Sequence, residues 1–298
     1  MTAAIQLDQV TKIYKGKKAV DGLSLTIEKG SVVALLGPNG AGKTTTVSMI
    51  LGLHQPTSGS VKLLGGDPRD PRIRDQIGAM LQDVSVIDNL KVNETIELFR
   101  HYYEKPLPLE QLLRISGLEK EKNKMATALS GGQQRRLGFA LAVAGDPEVL
   151  FLDEPTVGMD VSSRQLFWDT IRAMAGRGRT IVLTTHYLEE ADSVADRIVV
   201  INNGKLIADG TPSEIKAETT GRVITFTAGA SVTPDSLAAM PGVTDIQWSG
   251  RKVRLFSGNT DGLIAALVEK RIDMRDIEIA SGGLEDAFQA LVQQTTQR

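Results

Sequence analysis

The chain has 298 residues, enough for two modest domains that each bury a core. Its 34 basic and 36 acidic side chains nearly cancel, so no chain-wide field draws it to nucleic acid or to an anionic membrane. The absence of cysteine excludes disulfides and thiolate chemistry, three scattered histidines argue against a zinc site, and no apolar run approaches the ~20 residues of a spanning helix.

Met1 to Val10 lacks the charged start and apolar core of a secretory leader, so the chain is expected to stay where it is made. Within that stretch Ile5 to Val10 alternates apolar and polar residues. A basic run follows from Lys12 to Lys18, and Gly22 to Glu28 alternates again through Leu23, Leu25 and Ile27. Two antiparallel strands are expected, with Tyr14 in the turn between them. Tyr14 is either an amphipathic surface residue or a ring for a base to stack on, and its position just ahead of the next motif favours stacking.

Ser31 to Leu36 is an apolar run suited to a strand buried on both faces of a parallel sheet. It leads into Gly37, Pro38, Asn39, Gly40, Ala41, Gly42, Lys43 and Thr44, the pattern of Gly, four free residues, Gly, Lys and Ser or Thr. Glycines let backbone N–H groups turn inward, and a helix expected from Thr44 through Thr45 to Leu53 adds partial positive charge. Such a loop holds a polyphosphate. Lys43 is expected to reach the β- and γ-phosphates and the Thr44 hydroxyl to ligate Mg²⁺, which keeps octahedral oxygen coordination.

Gln55 to Gly59 reads as a turn, Ser60 to Leu64 as a short strand, and Arg72 to Arg74 leads to a further strand over Gly78 to Gln82. Gln82 is either a plain surface residue or, at a strand end beside a phosphate loop, an amide that senses Mg²⁺ or water. From Val92 to Gly145 the spacing turns helical, through Ile96, Leu98 and Phe99 and then Leu109, Leu112, Leu113 and Ile115. This reads as a helical insertion of roughly fifty residues, where nucleotide-binding cores accept partner-specific subdomains. Inside it stand Leu129, Ser130, Gly131, Gly132 and Gln133. Ser130 can simply cap the next helix, or its hydroxyl and the glycyl N–H groups can form a second anion site. One phosphate loop leaves no use for a second site on the same nucleotide, whereas two chains that complete each other would have one.

Val149 to Leu152 is a buried strand that delivers Asp153 to the carboxyl edge of the sheet beside the metal, with Glu154 beyond it to polarise an attacking water. Asp160 would point to the same place in a partner. Thr180 to Thr185 is another apolar strand, ending at His186, which can bond a γ-phosphate oxygen. An acidic helix over Leu188 to Val194, a hairpin from Arg197 to Ala208 across Asn202, Asn203 and Gly204, and a short helix over Thr211 to Ala217 close the first domain. Beyond it come a strand (Arg222 to Thr227), a helix (Pro234 to Ala239), paired strands (Thr244 to Trp248, Lys252 to Phe256), a helix (Asp261 to Lys270), a strand (Ile272 to Ile279) and a last helix (Leu284 to Val292). That order is a split βαβ, ferredoxin-like unit, either a ligand-binding module or a passive appendage.

Taken in their fixed order, these motifs resemble the ATP-binding subunit of an ATP-binding cassette (ABC) transporter over Ile5 to Lys216. The resemblance implies an α/β P-loop NTPase (ABC ATPase) core with an antiparallel β subdomain and a helical subdomain at about 88–145. A domain of residues 1–218 is then followed by a small C-terminal α+β domain of residues 221–298. By position, Tyr14 resembles the adenine-stacking aromatic, Gly37 to Thr44 the Walker A loop, Gln82 the Q-loop glutamine, and Leu129 to Gln133 the LSGGQ motif. Asp153 and Glu154 resemble the Walker B aspartate and catalytic glutamate, Asp160 the D-loop, and His186 the switch histidine. The catalytic set implied is Glu154, His186, Lys43 and Gln82, the metal set Thr44, Gln82 and Asp153, and the cofactors ATP and Mg²⁺. The same resemblance implies a head-to-tail homodimer that traps ATP between the loop of one chain and Ser130 to Gln133 of the other. It also implies a separate membrane permease, docked near Val84 to Phe99, and a cytoplasmic place on the inner face of the membrane. Leu284 to Phe288 and Thr184 to Asp192 are similar to bacterial drug and antibiotic exporters of the daunorubicin-resistance type. A soluble ABC ATPase acting on ribosomes or DNA, and a nucleotide-gated regulatory module, are the alternatives.

Overall fold

In the computed structural model, which describes residues 3–82, 87–219 and 222–296, the alternating start of the chain forms two long antiparallel strands, β1 (Ala3–Tyr14) and β2 (Lys17–Glu28). Pairing runs from Ala3 opposite Glu28 to Tyr14 opposite Lys17, with register shifts on either side of Val10. Those irregularities break the alternation in sequence while the ladder continues. Tyr14 therefore closes β1 instead of sitting in the turn, which is made by Lys15 and Gly16, both at positive φ.

The apolar run becomes β3 (Val32–Leu36), all five residues buried, and the phosphate-loop pattern leads into α1 (Lys43–Ile50). This helix is shorter than the expected Thr44 to Leu53. β4 (Ser58–Leu63) returns to pair with β1, giving the sheet order β2-β1-β4. One apolar cluster joins this sheet to the parallel sheet described next. Ile5, Leu7 and Leu23 pack with Met49 and Ile50 of α1 and with Val33, Leu35 and Phe151. Four of the eight residues of α1, Thr46, Val47, Met49 and Ile50, are buried on one face of the helix.

α2 (Pro71–Arg74), capped by Asp70, precedes β5 (Ile77–Met80), so Gln82 lies two residues past the strand it was expected to end. Then come α3 (Val92–Arg100), α4 (Leu109–Ser116), α5 (Gly131–Ala142), β6 (Val149–Asp153), α6 (Val161–Ala175), β7 (Thr180–Thr184), α7 (Leu188–Val194), β8 (Arg197–Asn202) and β9 (Lys205–Gly210). The second sheet has the order β5-β6-β7-β3-β8-β9, with β5 to β8 parallel. The carboxyl ends of β3, β5, β6 and β7 therefore share one edge, where open α/β sheets take ligands.

Among the described residues no strand interrupts α3 to α5. Ile96, Leu112 and Leu113 are buried as the periodicity predicts, whereas Leu98 is 39% exposed because α3 turns Val92, Thr95 and Ile96 inward. Phe139 of α5 meets Phe167 of α6 edge-on at 4.9 Å, and Phe167 meets Trp168 at 5.0 Å. Phe139 is 1% exposed, so Phe139→Ala should destabilise the first unit by about 3–5 kcal/mol, read from urea unfolding.

By contacts the chain divides at Asp209/Gly210, earlier than the cut at 218–221, where Thr220 and Gly221 lie outside the described residues. The reason is α8 (Pro212–Thr219), which packs on the last helix, α11 (Leu284–Thr296). Between them the second unit runs β10 (Arg222–Ala228), α9 (Pro234–Ala238), β11 (Val243–Ser249), β12 (Lys252–Ser257), α10 (Thr260–Glu269) and β13 (Met274–Ser281). Its antiparallel sheet has the order β11-β12-β10-β13, around a core of Ile224, Phe226, Leu237, Leu255 and Leu263. Arg254 grips Asp286 of α11 through two hydrogen bonds of 2.9 and 2.7 Å. No helix among the described residues is long and apolar enough to cross a membrane.

Candidate active site

The loop from Gly37 to Gly42 lies between a strand with no exposed residue and a helix whose first turn carries no acidic side chain, so α1 itself does nothing to offset its positive end. Gly42 takes φ 105°, and a Cβ there would lie 2.4 Å from the Ala19 carbonyl oxygen. Only glycine fits on both counts. The Lys43 ammonium folds onto its own loop, donating to the Gly37 oxygen at 2.6 Å and the Pro38 oxygen at 3.1 Å. Burial lowers its pKa, and the carboxylates of Glu154 and Asp153 partly oppose that shift.

β6 delivers both acids, and β7 brings Thr184 and His186 beside them. Thr184, the last residue of β7, donates its hydroxyl to Asp153 Oδ1, a contact that the spacing of 31 residues hid from the sequence. Glu154 is held at φ 49°, a left-handed conformation costing about 1 kcal/mol, with its N–H bonded to the Thr184 carbonyl at 3.0 Å. His186 Nε2 lies 2.6 Å from Glu154 Oε1.

A cleft of about 500 Å³ collects Tyr14, Asn39, Gly40, Ala41, Gly42, Lys43, Thr44, Thr45, Gln82, Asp153, Glu154 and His186. Gly37 and Pro38 form the base of the loop and do not line it. Lys17, Lys18 and Ala19 do line it, and were missed as site residues although the basic run was visible. Tyr14 is 41% exposed, its ring flanked by the Lys12 ammonium 5.1 Å from the centroid and by the edge of His54.

Ser130, Gly131, Gly132, Gln133 and Asp160 do not line this cleft. Ser130 caps α5, its hydroxyl accepting from Gln133 N–H at 3.3 Å while the Gln133 side chain accepts from Ser130 N–H at 3.0 Å. Gly132 packs so closely that a Cβ would meet the Gly158 oxygen at 2.4 Å, which ties the Ser-Gly-Gly turn to the segment after Glu154. Asp160 caps α6, accepting from the Ser162 and Ser163 hydroxyls and from Ser163 N–H. The Ser162 hydroxyl, followed by the Ser163 N–H, holds this carboxyl well below the usual range. A depressed carboxylate pKa stabilises above the unfolded value, about 3.9, and that contribution fades as pH falls towards the folded value. The stability gap between wild type and Asp160→Asn should thus be widest at neutral pH and shrink below about pH 4, followed by thermal unfolding across pH.

A family model described as ABC transporter matches residues 20–157. The chain is 37% identical to the Nod factor export ATP-binding protein I of Paraburkholderia xenovorans, over 96% of each chain. It is also 37% identical to the daunorubicin resistance ATP-binding protein DrrA3 of Streptomyces coeruleorubidus, over 96% of this chain and 94% of that one. Among solved structures it is similar to an ATP-binding subunit of an ABC transporter, with a TM-score of 0.68 and 26% identity over 73% of this chain and 93% of that one. It is similar too to a dimeric ATP-binding cassette in a post-hydrolysis state bound to ADP and Pi, with a TM-score of 0.65 and 28% identity over 70% and 98%.

Proposed function

The chain belongs to the ABC transporter ATP-binding subunits, and we propose that it hydrolyses ATP to ADP and phosphate in this cleft to energise export through a separate membrane permease. One observation carries the reading: residues as distant as Tyr14, Lys43, Gln82, Glu154 and His186 converge on one cleft at the N-terminus of α1. Relatives named for Nod factor export and daunorubicin resistance support export, of drugs, antibiotics or lipid-like compounds.

In this reading Tyr14 stacks on adenine and the N–H groups of residues 39–45 bind the phosphates. Lys43 exchanges its bonds to Gly37 and Pro38 for phosphate oxygens. The Thr44 hydroxyl, the Gln82 amide and the Asp153 carboxylate are hard oxygen donors suited to Mg²⁺, and the Thr184 hydroxyl fixes one Asp153 oxygen. When bound, Mg²⁺ offsets phosphate charge. Glu154 takes a proton from the attacking water, and the His186 N–H exchanges the Glu154 carboxylate for a γ-phosphate oxygen. Ser130 to Gln133 and Asp160 lie outside the cleft of their own chain and serve that of a second copy, giving a head-to-tail homodimer. The dimer sits on the inner face of the membrane through its permease, with no nucleic acid partner.

The test is phosphate release by the purified chain with Mg²⁺, together with its recovery from detergent-solubilised membranes bound to a polytopic membrane protein. Release faster than from Lys43→Ala, with that co-purification, is the expected result. Release equal to that of the variant overturns the enzyme, and recovery without a membrane protein overturns the coupling.

A further inference from the structure

His186 is 51% exposed, so packing alone does not fix its ring, and α7, which starts two residues later, has only seven residues and no side-chain cap. A helix this short does not hold its own position. Glu154, in its left-handed conformation, likewise needs a surrounding structure that over-determines it. Both are served by one polar cluster behind the cleft. Thr156, 1% exposed and two residues after Glu154, donates its hydroxyl to Glu190 Oε2 at 2.8 Å. Glu190 stands on α7, four residues after His186. Its other oxygen, Oε1, lies 3.2 Å from Arg164 Nε of α6, but neither atom makes a hydrogen bond, so this pair is an electrostatic contact out of alignment. The Arg164 guanidinium also lies over the ring of Tyr187, 5.0 Å from its centroid, and Tyr187 is the residue next to His186.

One carboxylate thus ties the turn after Glu154 to the helix after His186, and one guanidinium clamps the residue between that helix and His186. We infer that Glu190 and Arg164 are positioning residues that set the 2.6 Å separation of His186 from Glu154. Neither lines the cleft, and they act on the reaction only through these two side chains. The inference rests on the proposed reading, in which Glu154 and His186 work on the same phosphate.

The experiment is steady-state ATP turnover by the purified full chain carrying Glu190→Ala, Glu190→Gln or Arg164→Met, each alone and combined with His186→Ala. Glu190→Ala should lower kcat by about 10- to 100-fold, the size of a loss from misplaced groups, with KM for ATP within about twofold. Glu190→Gln keeps an acceptor for Thr156 and should recover part of that loss. On the His186→Ala background each of the three should cost clearly less than on the wild type, because one of the two groups they position is gone while Glu154 remains. A purely structural role would raise KM as well, or take the same factor with or without His186. Turnover within about twofold of wild type for both Glu190→Ala and Arg164→Met, or an undiminished loss on the His186→Ala background, overturns the inference. Should Glu190→Ala fail to fold, Glu190→Gln and Arg164→Met carry the comparison, judged by ATP affinity equal to wild type. If His186→Ala alone turns over at the wild-type rate, the role given to His186 falls first, and the positioning role falls with it.

Discussion

Glu154→Gln should bind ATP about as well as the wild type while losing about 10²- to 10⁴-fold in turnover, the usual contribution of a positioned general base. The exchange preserves shape and removes a basic oxygen. An amide can still hydrogen-bond to His186, and the strained backbone at Glu154 is fixed by the Thr184 carbonyl, which the substitution leaves untouched. ATP bound without hydrolysis should accumulate a joined form, visible as an ATP-dependent dimer by size-exclusion chromatography. The binding half is read by titration calorimetry and the chemical half by phosphate release. A purified variant that turns over near the wild-type rate would remove Glu154 from the role of base.

The second large effect is expected at Lys43. Lys43→Ala should raise the dissociation constant for ATP by about 10- to 100-fold, the worth of one or two charge-assisted hydrogen bonds of about 1.5–3 kcal/mol. The ammonium is already partly desolvated in the fold, which is why its pKa is pushed down, so contact with phosphate adds little further desolvation cost. For the same reason the variant should unfold at a midpoint no lower than the wild type, since a partly desolvated cation has been removed and the Gly37 and Pro38 carbonyls it capped are themselves only half-buried. Unchanged affinity in the calorimeter would mean that the loop backbone alone holds the phosphates.

Much of the core was legible because burial leaves a plain mark on composition. The runs that became β3, β6 and β7 are continuous apolar stretches that end on polar residues, so the positions of Gly37, Asp153 and His186 at one sheet edge could be read from the sequence. Tyr14 was misplaced by one element because register shifts beside Val10 hide a ladder that continues. Ser130 and Asp160 were ambiguous for a deeper reason: a helix cap and an anion site draw on the same side chains, and in the folded chain both residues are engaged by their own helices. The Thr156, Glu190 and Arg164 cluster was invisible, since its members are scattered over 34 residues and each reads alone as a surface polar group. The allocation of α8 escaped for the same cause, its partner α11 being formed by the far end of the chain.

The central claim is that each ATP site is completed by a second copy of the chain, and mixing two inactive variants tests it most directly. Lys43→Ala disables the loop side of a site and Ser130→Phe the opposite side. In a head-to-tail dimer of one of each, the intact loop of one chain faces the intact Ser130 of the other, while the second site carries both lesions. Random pairing makes half the dimers mixed, each with one intact site of two, so the mixture should recover about a quarter of wild-type phosphate release when either variant alone is inactive. If the mixture stays as inactive as its components, or if Ser130→Phe alone hydrolyses ATP at the wild-type rate, the sites are not shared between chains.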